Sequence, residues 1–223
     1  MDFMKWLNSL DELLFEVMSW LIFFPLTLWR AVVNPLDMMA YADEQLALPE
    51  EDQYAAAVSP PLFLALALLL AHGASTALGQ ADAIIANRHG LAGLVDDQTS
   101  ALLLRLVVFS IFPLMMSVRL LRRRGEPIKR ETLRAPFYGQ CYPAAAFALA
   151  LSFGTTFASL PARSAQIAGL ALAAIGLIHF IVAETGWFMA QLSIGPIRAL
   201  GTAILALLQS VVLLLLIGFL FTR

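Results

Sequence analysis

Between Arg119 and Arg134 the chain reads RLLRRRGEPIKRETLR, a run that holds seven of its fourteen basic residues: Arg119, Arg122, Arg123, Arg124, Lys129, Arg130 and Arg134. Long apolar segments flank it on both sides. Positively charged short loops are poorly translocated across a bilayer, so this run marks the cytoplasmic side and fixes the direction of every neighbouring segment. Beside membrane spans, such a basic run reads as a topology determinant in contact with lipid headgroups rather than as a nucleic-acid site.

Of the 223 residues 60% are hydrophobic and 13% charged, where soluble domains carry about a quarter charged residues. The apolar residues gather in runs at 61–79, 100–120, 137–159, 165–187 and 198–221, each near the length of about twenty residues that a helix needs to cross the hydrocarbon core. The expected fold is an all-α, polytopic membrane helix bundle. Five transmembrane helices (59–223) follow a cytoplasmic or interfacial N-terminal region (1–58). With the basic loop inside, the N-terminus is cytoplasmic and the C-terminus lies on the opposite side. The single cysteine, Cys141, excludes an intramolecular disulfide and a multi-thiolate metal site.

Residues 3–24 show a helical period, with Phe3, Trp6, Leu7, Leu10, Leu13, Leu14, Val17, Met18 and Leu21 on one face. Asp11, Glu12 and Glu16 argue against a span, since each carboxylate at mid-bilayer costs about 3 kcal/mol. An amphipathic helix in the interface plane fits this pattern, and its acids do not suit a cleaved signal. Pro25 is expected to kink or break the apolar stretch 18–29, which then dips into the membrane. Residues 30–59 form an acidic connector with one short helix after Asn34-Pro35.

Four ionisable residues fall inside spans: His72, Arg105, His179 and Glu184. Such residues are functional candidates by default. Counting depth at 1.5 Å per residue places His72 and His179 near mid-bilayer, where they can face one another, and separates Arg105 from Glu184 by roughly 20 Å. Arg105 is then expected to snorkel outward, and Glu184 to reach Arg198, Arg119 or Arg122 at the inner surface. Ala146, Ala150 and Gly154 in the third span, and Gly169, Ala173 and Gly176 in the fourth, form small-residue faces that let helices approach closely. The short SLPARS connector makes these two spans antiparallel neighbours. Pro113 is expected to kink the second span, and Pro136 and Pro143 to sit near the start of the third. No hydrolase, zinc-protease or nucleotide-loop signature occurs, so the sequence implies neither a catalytic residue, a metal site nor a cofactor.

Three stretches, FPLTLWRAVVNPLDMMAYADEQ, ETLRAPFYGQCYPAAAFALA and GWFMAQLSIGPIRALGTAILALL, resemble the Yip-domain family of small membrane proteins, in the form of its bacterial members. The resemblance implies a cytoplasmic N-terminal region, five packed spans and a bacterial inner membrane. It implies no catalytic residues, and the eukaryotic D-L-Y-G-P signature is absent. The function expected from the whole is a non-enzymatic accessory, scaffold or assembly subunit. Its partners are membrane lipid and other membrane subunits or further copies of itself, with no nucleic acid. The alternative is a small permease with a polar path through His72 and His179.

Overall fold

A computed structural model of the protein describes residues 2–79 and 98–222. These form seven α-helices and no strand: α1 (Asp2–Val33), α2 (Pro35–Leu46), α3 (Pro60–Ala77), α4 (Gln98–Arg124), α5 (Arg130–Ala158), α6 (Arg163–Leu192) and α7 (Pro196–Thr222), with a 3-10 turn at Glu50–Asp52. Proline opens α2, α3 and α7, where its missing N–H costs nothing and its fixed φ suits the helix. All but α2 are long and apolar enough to cross a membrane, so the protein is an all-helical bundle of membrane type. Residues 80–97 between α3 and α4, expected from the span order to form an outer loop and holding His89, lie outside the described residues.

Two expectations from proline placement are corrected. α1 runs unbroken through Pro25. A proline inside a helix removes one hydrogen bond and costs about 3 kcal/mol. Here Phe23, Phe24, Leu28 and Ala31 pack on the bundle on both sides of the proline and hold the helix together. Its segment Leu14–Val33 therefore becomes a sixth candidate span by length and hydropathy. α5 starts at Arg130, ahead of the expected boundary, so Pro136 and Pro143 lie in its interior rather than in its first turn. The polar segment RETLR joins the helix because the Thr132 hydroxyl accepts the Lys129 N–H at 3.0 Å, which satisfies one of the orphan donors of the first turn.

The axis of the bundle is α5. Every residue from Gly139 to Leu149 is buried, the mark of a helix surrounded on all sides. The run CYPAAAFALA makes this possible, because its alanines let α2, α3, α4 and α6 crowd round one helix. The seam with α6 is closest. A Cβ on Gly154 would stand 2.8 Å from the Ala173 Cβ and 2.8 Å from the Gly169 carbonyl oxygen, and one on Gly176 would strike Ala150. Further along, Phe147 stacks on Phe180 at 5.0 Å and Phe112 meets Phe147 edge-on at 5.5 Å, which joins α4, α5 and α6. Residues 31–58 share one buried cluster with α3 and α5 through Ala31, Met38, Ala42, Ala57 and Val58. The division at 58/59 is thus one of sequence, not of core.

The basic run ends α4 and opens α5. Gly125, at φ +71, turns the chain in the left-handed region, and the Glu126 N–H returns to the Leu121 carbonyl at 3.0 Å. This six-to-one bond closes the helix C-terminus, with Arg122, Arg123 and Arg124 set against the negative end of the helix dipole. Arg124 bonds Gln191 near the end of α6 and its charge acts on Asp43 of the connector, so the basic loop, the connector and the α6–α7 turn share one end of the bundle.

Candidate functional site

The ionisable residues inside the helices separate into three arrangements. His72 and Arg105 meet: Arg105 Nη1 lies 2.9 Å from His72 Nδ1, and since a guanidinium only donates, the imidazole nitrogen accepts. Sequence reasoning did not pair these two residues. α3 ends at Ala77, so His72 stands only five residues, roughly 7–8 Å, from the end away from the basic loop. Arg105, seven residues into α4 from Gln98, arrives from that same end.

His179 has a different neighbour. Its Nε2 donates to the Val32 carbonyl at 2.8 Å. Val32 is in the last turn of α1, whose final carbonyls have no partner within the helix, so His179 caps α1 from across the bundle. The expected His72–His179 layer does not form, because the two imidazoles are engaged on separate helices.

Glu184 is the third arrangement. It shares one face of α6 with Phe180, Ala183, Trp187 and Phe188, all buried. That face looks at α5 rather than toward the basic end, so the expected reach to Arg198, Arg119 or Arg122 is not made. Counting along the antiparallel seam from the Ala150–Gly176 contact brings Gln140 level with Glu184 to within about two residues. Glu184 and Gln140 are both 0% exposed and Trp187 is 4% exposed. Among the described residues, both carboxyl oxygens, both amide atoms and the indole N–H lack a hydrogen-bond partner. Gln140 is the polar group facing the carboxyl, beyond hydrogen-bonding geometry. Helix α2 closes over this layer: its Met39 carbonyl oxygen is 3.2 Å from where a Gly139 Cβ would sit, and Leu36 reaches to 3.0 Å from the corresponding point on Gly186. Three groups able to bind a proton, a cation or a polar ligand atom are therefore held together, inside the helices, under a short helix.

The small residues taken from spacing meet at the α5–α6 seam: Gly154 opposes Ala173 and Gly169, and Ala150 opposes Gly176. Ala146 is buried on α5. Cys141 is fully buried in the same helix. The basic residues Arg122, Arg123, Arg124, Lys129, Arg130 and Arg134 are exposed around the loop, whereas Arg119 lies one turn deeper with its Nε buried and without a partner among the described residues.

The connector is tied down at this end by polar contacts. Arg30 stands over the Tyr41 ring at 5.3 Å. The Thr27 hydroxyl accepts the Val58 N–H at 3.1 Å, and the Val58 carbonyl accepts the Tyr142 hydroxyl at 2.9 Å. Burial pushes the Asp43 carboxyl above its ordinary range, against a smaller opposing pull from Arg124. It likewise raises the Tyr54 phenol. Sequence reasoning passed over Gln140, Trp187, Asp43 and Tyr54. A glutamine inside an apolar run was a usable signal for Gln140. Nothing in the local pattern marks the other three.

Among the described residues, no three histidine, cysteine or carboxylate side chains converge as metal ligands. These elements define an α-helical integral membrane bundle with an axial helix and a buried carboxyl–amide layer. The chain matches no family model, and neither a curated protein nor a solved structure is significantly similar to it.

Proposed function

We propose that this chain is a non-enzymatic membrane subunit that works by packing: an accessory, scaffold or assembly component of a larger membrane complex. The observation that carries the reading is the buried axial helix. From Gly139 to Leu149 the middle of the bundle is filled by α5, where a permease needs a path. The outer faces suit lateral association as well as lipid: on α1, Phe15, Leu21, Ile22 and Trp29 are each about two-thirds exposed or more. The Yip-domain resemblance supports the same reading, with the basic loop and connector on the cytoplasmic side of a bacterial inner membrane and the C-terminus across it. The contacts of α1 with the Tyr41, Ala56, Val58 and Phe63 region support an α1 that lies along the cytoplasmic half. Gentle extraction from the native membrane tests the proposal. A stoichiometric partner, released when Leu21, Ile22 and Trp29 are replaced by serine, is the expected result. A monodisperse particle of this chain alone overturns it.

A second reading is a cation- or proton-coupled permease, favoured by one observation: a wholly buried carboxyl with no hydrogen-bond partner among the described residues, which in membrane helices marks ion and proton pathways. It moves the working residues from His72 and His179 to Glu184 and Gln140. Flux into proteoliposomes that is abolished by Glu184→Gln, with folding intact, supports it. Flux that persists in that variant removes it.

A further inference from the structure

A lateral groove of about 920 Å³ opens at the basic-loop end, between α1, the connector and the first turns of α3 and α5. That is within the size range of small-molecule sites. Its charged groups are Arg134 on one side and Glu16, Glu50 and Glu51 on the others. Arg134 lies over the Tyr138 ring at 5.5 Å and makes no ion pair with a carboxylate of the described residues. The groove thus holds one positive and three negative side chains that have not neutralised one another. Its walls include Trp20 and Tyr138, amphipathic aromatics of the kind that settle at headgroup depth.

The loop that completes the groove is held in a costly shape. Tyr54 has φ +59, a region that bulky residues rarely enter and that costs of order 1–3 kcal/mol. It is fixed there by its own N–H, which donates to Gln45 Oε1 at 2.6 Å, and by Gln53 Nε2, which donates to the Leu48 carbonyl at 2.8 Å. The result sets the Tyr54 ring in the groove wall, with its hydroxyl buried and without a hydrogen-bond partner among the described residues. Strain of this kind persists where surrounding contacts over-determine it, and it clusters at ligand sites.

We propose that this groove binds a phospholipid whose headgroup carries a primary ammonium, as phosphatidylethanolamine does. The phosphate lies on Arg134, the ammonium among Glu16, Glu50 and Glu51, and the first part of the acyl chains follows the apolar side of α1. Charge complementarity selects this occupant. The groove's net charge of −2 (one arginine against three glutamates) repels an anionic phospholipid. Carboxylates reward a headgroup that has N–H donors over a quaternary ammonium that has none. The inference needs only that the bundle is membrane-embedded; it holds or fails independently of the accessory and permease readings.

The test uses the full chain purified in detergent, offered phosphatidylethanolamine, phosphatidylcholine or phosphatidylglycerol with matched acyl chains. Native mass spectrometry reads the lipid retained, and thermal unfolding gives a second readout. The ethanolamine lipid is expected to be retained about tenfold over either of the others, the ratio expected from one charge-assisted hydrogen bond gained or lost. The Glu50→Gln/Glu51→Gln double variant lies on an exposed 3-10 turn, where folding is not at stake. It is expected to lose that preference and to gain phosphatidylglycerol. Arg134→Gln is expected to weaken retention of all three. Equal retention of the three lipids, preference for phosphatidylglycerol, or an undiminished ethanolamine preference in the double variant overturns the proposal.

Discussion

Gly154→Ala is the sharpest probe of the α5–α6 seam. The added Cβ would meet the Ala173 Cβ at 2.8 Å, the Gly169 carbonyl oxygen at 2.8 Å and the Ala173 nitrogen at 2.9 Å. Two of these three atoms are backbone, which a rotamer change cannot move aside, so the helices must part by several tenths of an ångström along their closest stretch. Overpacking of this kind costs about 1–3 kcal/mol. Alanine meanwhile gains up to about 1 kcal/mol over glycine in helix propensity. The control is Gly201→Ala on α7, where nothing lies within 4 Å of the new Cβ; there only the propensity gain operates. Both variants receive the same propensity gain, which cancels in the comparison, so they are expected to differ by the overpacking cost, about 1–3 kcal/mol. Thermal unfolding of both in one detergent, followed by tryptophan fluorescence and by monodispersity, reads the difference. If Gly154→Ala is as stable as Gly201→Ala, the helices do not pack through this seam and the argument for an axial α5 fails.

Three further outcomes follow from the polar groups. Replacing Glu184 with leucine removes a buried carboxyl that has no hydrogen-bond partner among the described residues and is expected to stabilise the bundle by about 1–3 kcal/mol; a loss of stability on unfolding in detergent shows instead that the carboxyl has a partner. Asp43 has its folded pKa raised by burial above the ordinary 3.8, so the native state holds the proton more tightly than the unfolded chain. Stability from this group is full below 3.8 and falls as pH rises from 3.8 through the raised value; Asp43→Asn is expected to flatten that fall, and an unchanged melting-versus-pH curve refutes it. His179→Phe leaves the Val32 carbonyl without its donor and is expected to cost about 1–3 kcal/mol, with faster amide exchange confined to the end of α1; exchange that is unchanged there rejects the capping role.

Much of the fold was legible in the chain. Run length and the charge of 119–134 pointed to a helical membrane bundle and to its basic end, and Asn34-Pro35 to the short helix in the connector. Four-residue spacing of glycine and alanine found the α5–α6 seam, because close backbone approach needs small side chains whatever surrounds them. Helix ends were less legible. Pro25, Pro136 and Pro143 read as boundaries, yet packing on both sides carries the helices through them.

The sequence by itself determined the class of protein, the end at which its charge sits and the pair of helices that pack most closely. Each of these rests on local composition or on spacing along one helix. Only the tertiary structure decided that α5 is the axis, that α2 covers it, that a groove opens beside α1, and which polar groups meet. His72 finds Arg105 33 residues away and His179 finds Val32 147 residues away, while Glu184 looks at Gln140 rather than at the basic end. The reason is physical. In water an apolar face announces the core, but lipid tails are as apolar as leucine. A membrane helix therefore carries little pattern that separates the face it turns to its neighbours from the face it turns to the bilayer, and that choice is made when the helices pack.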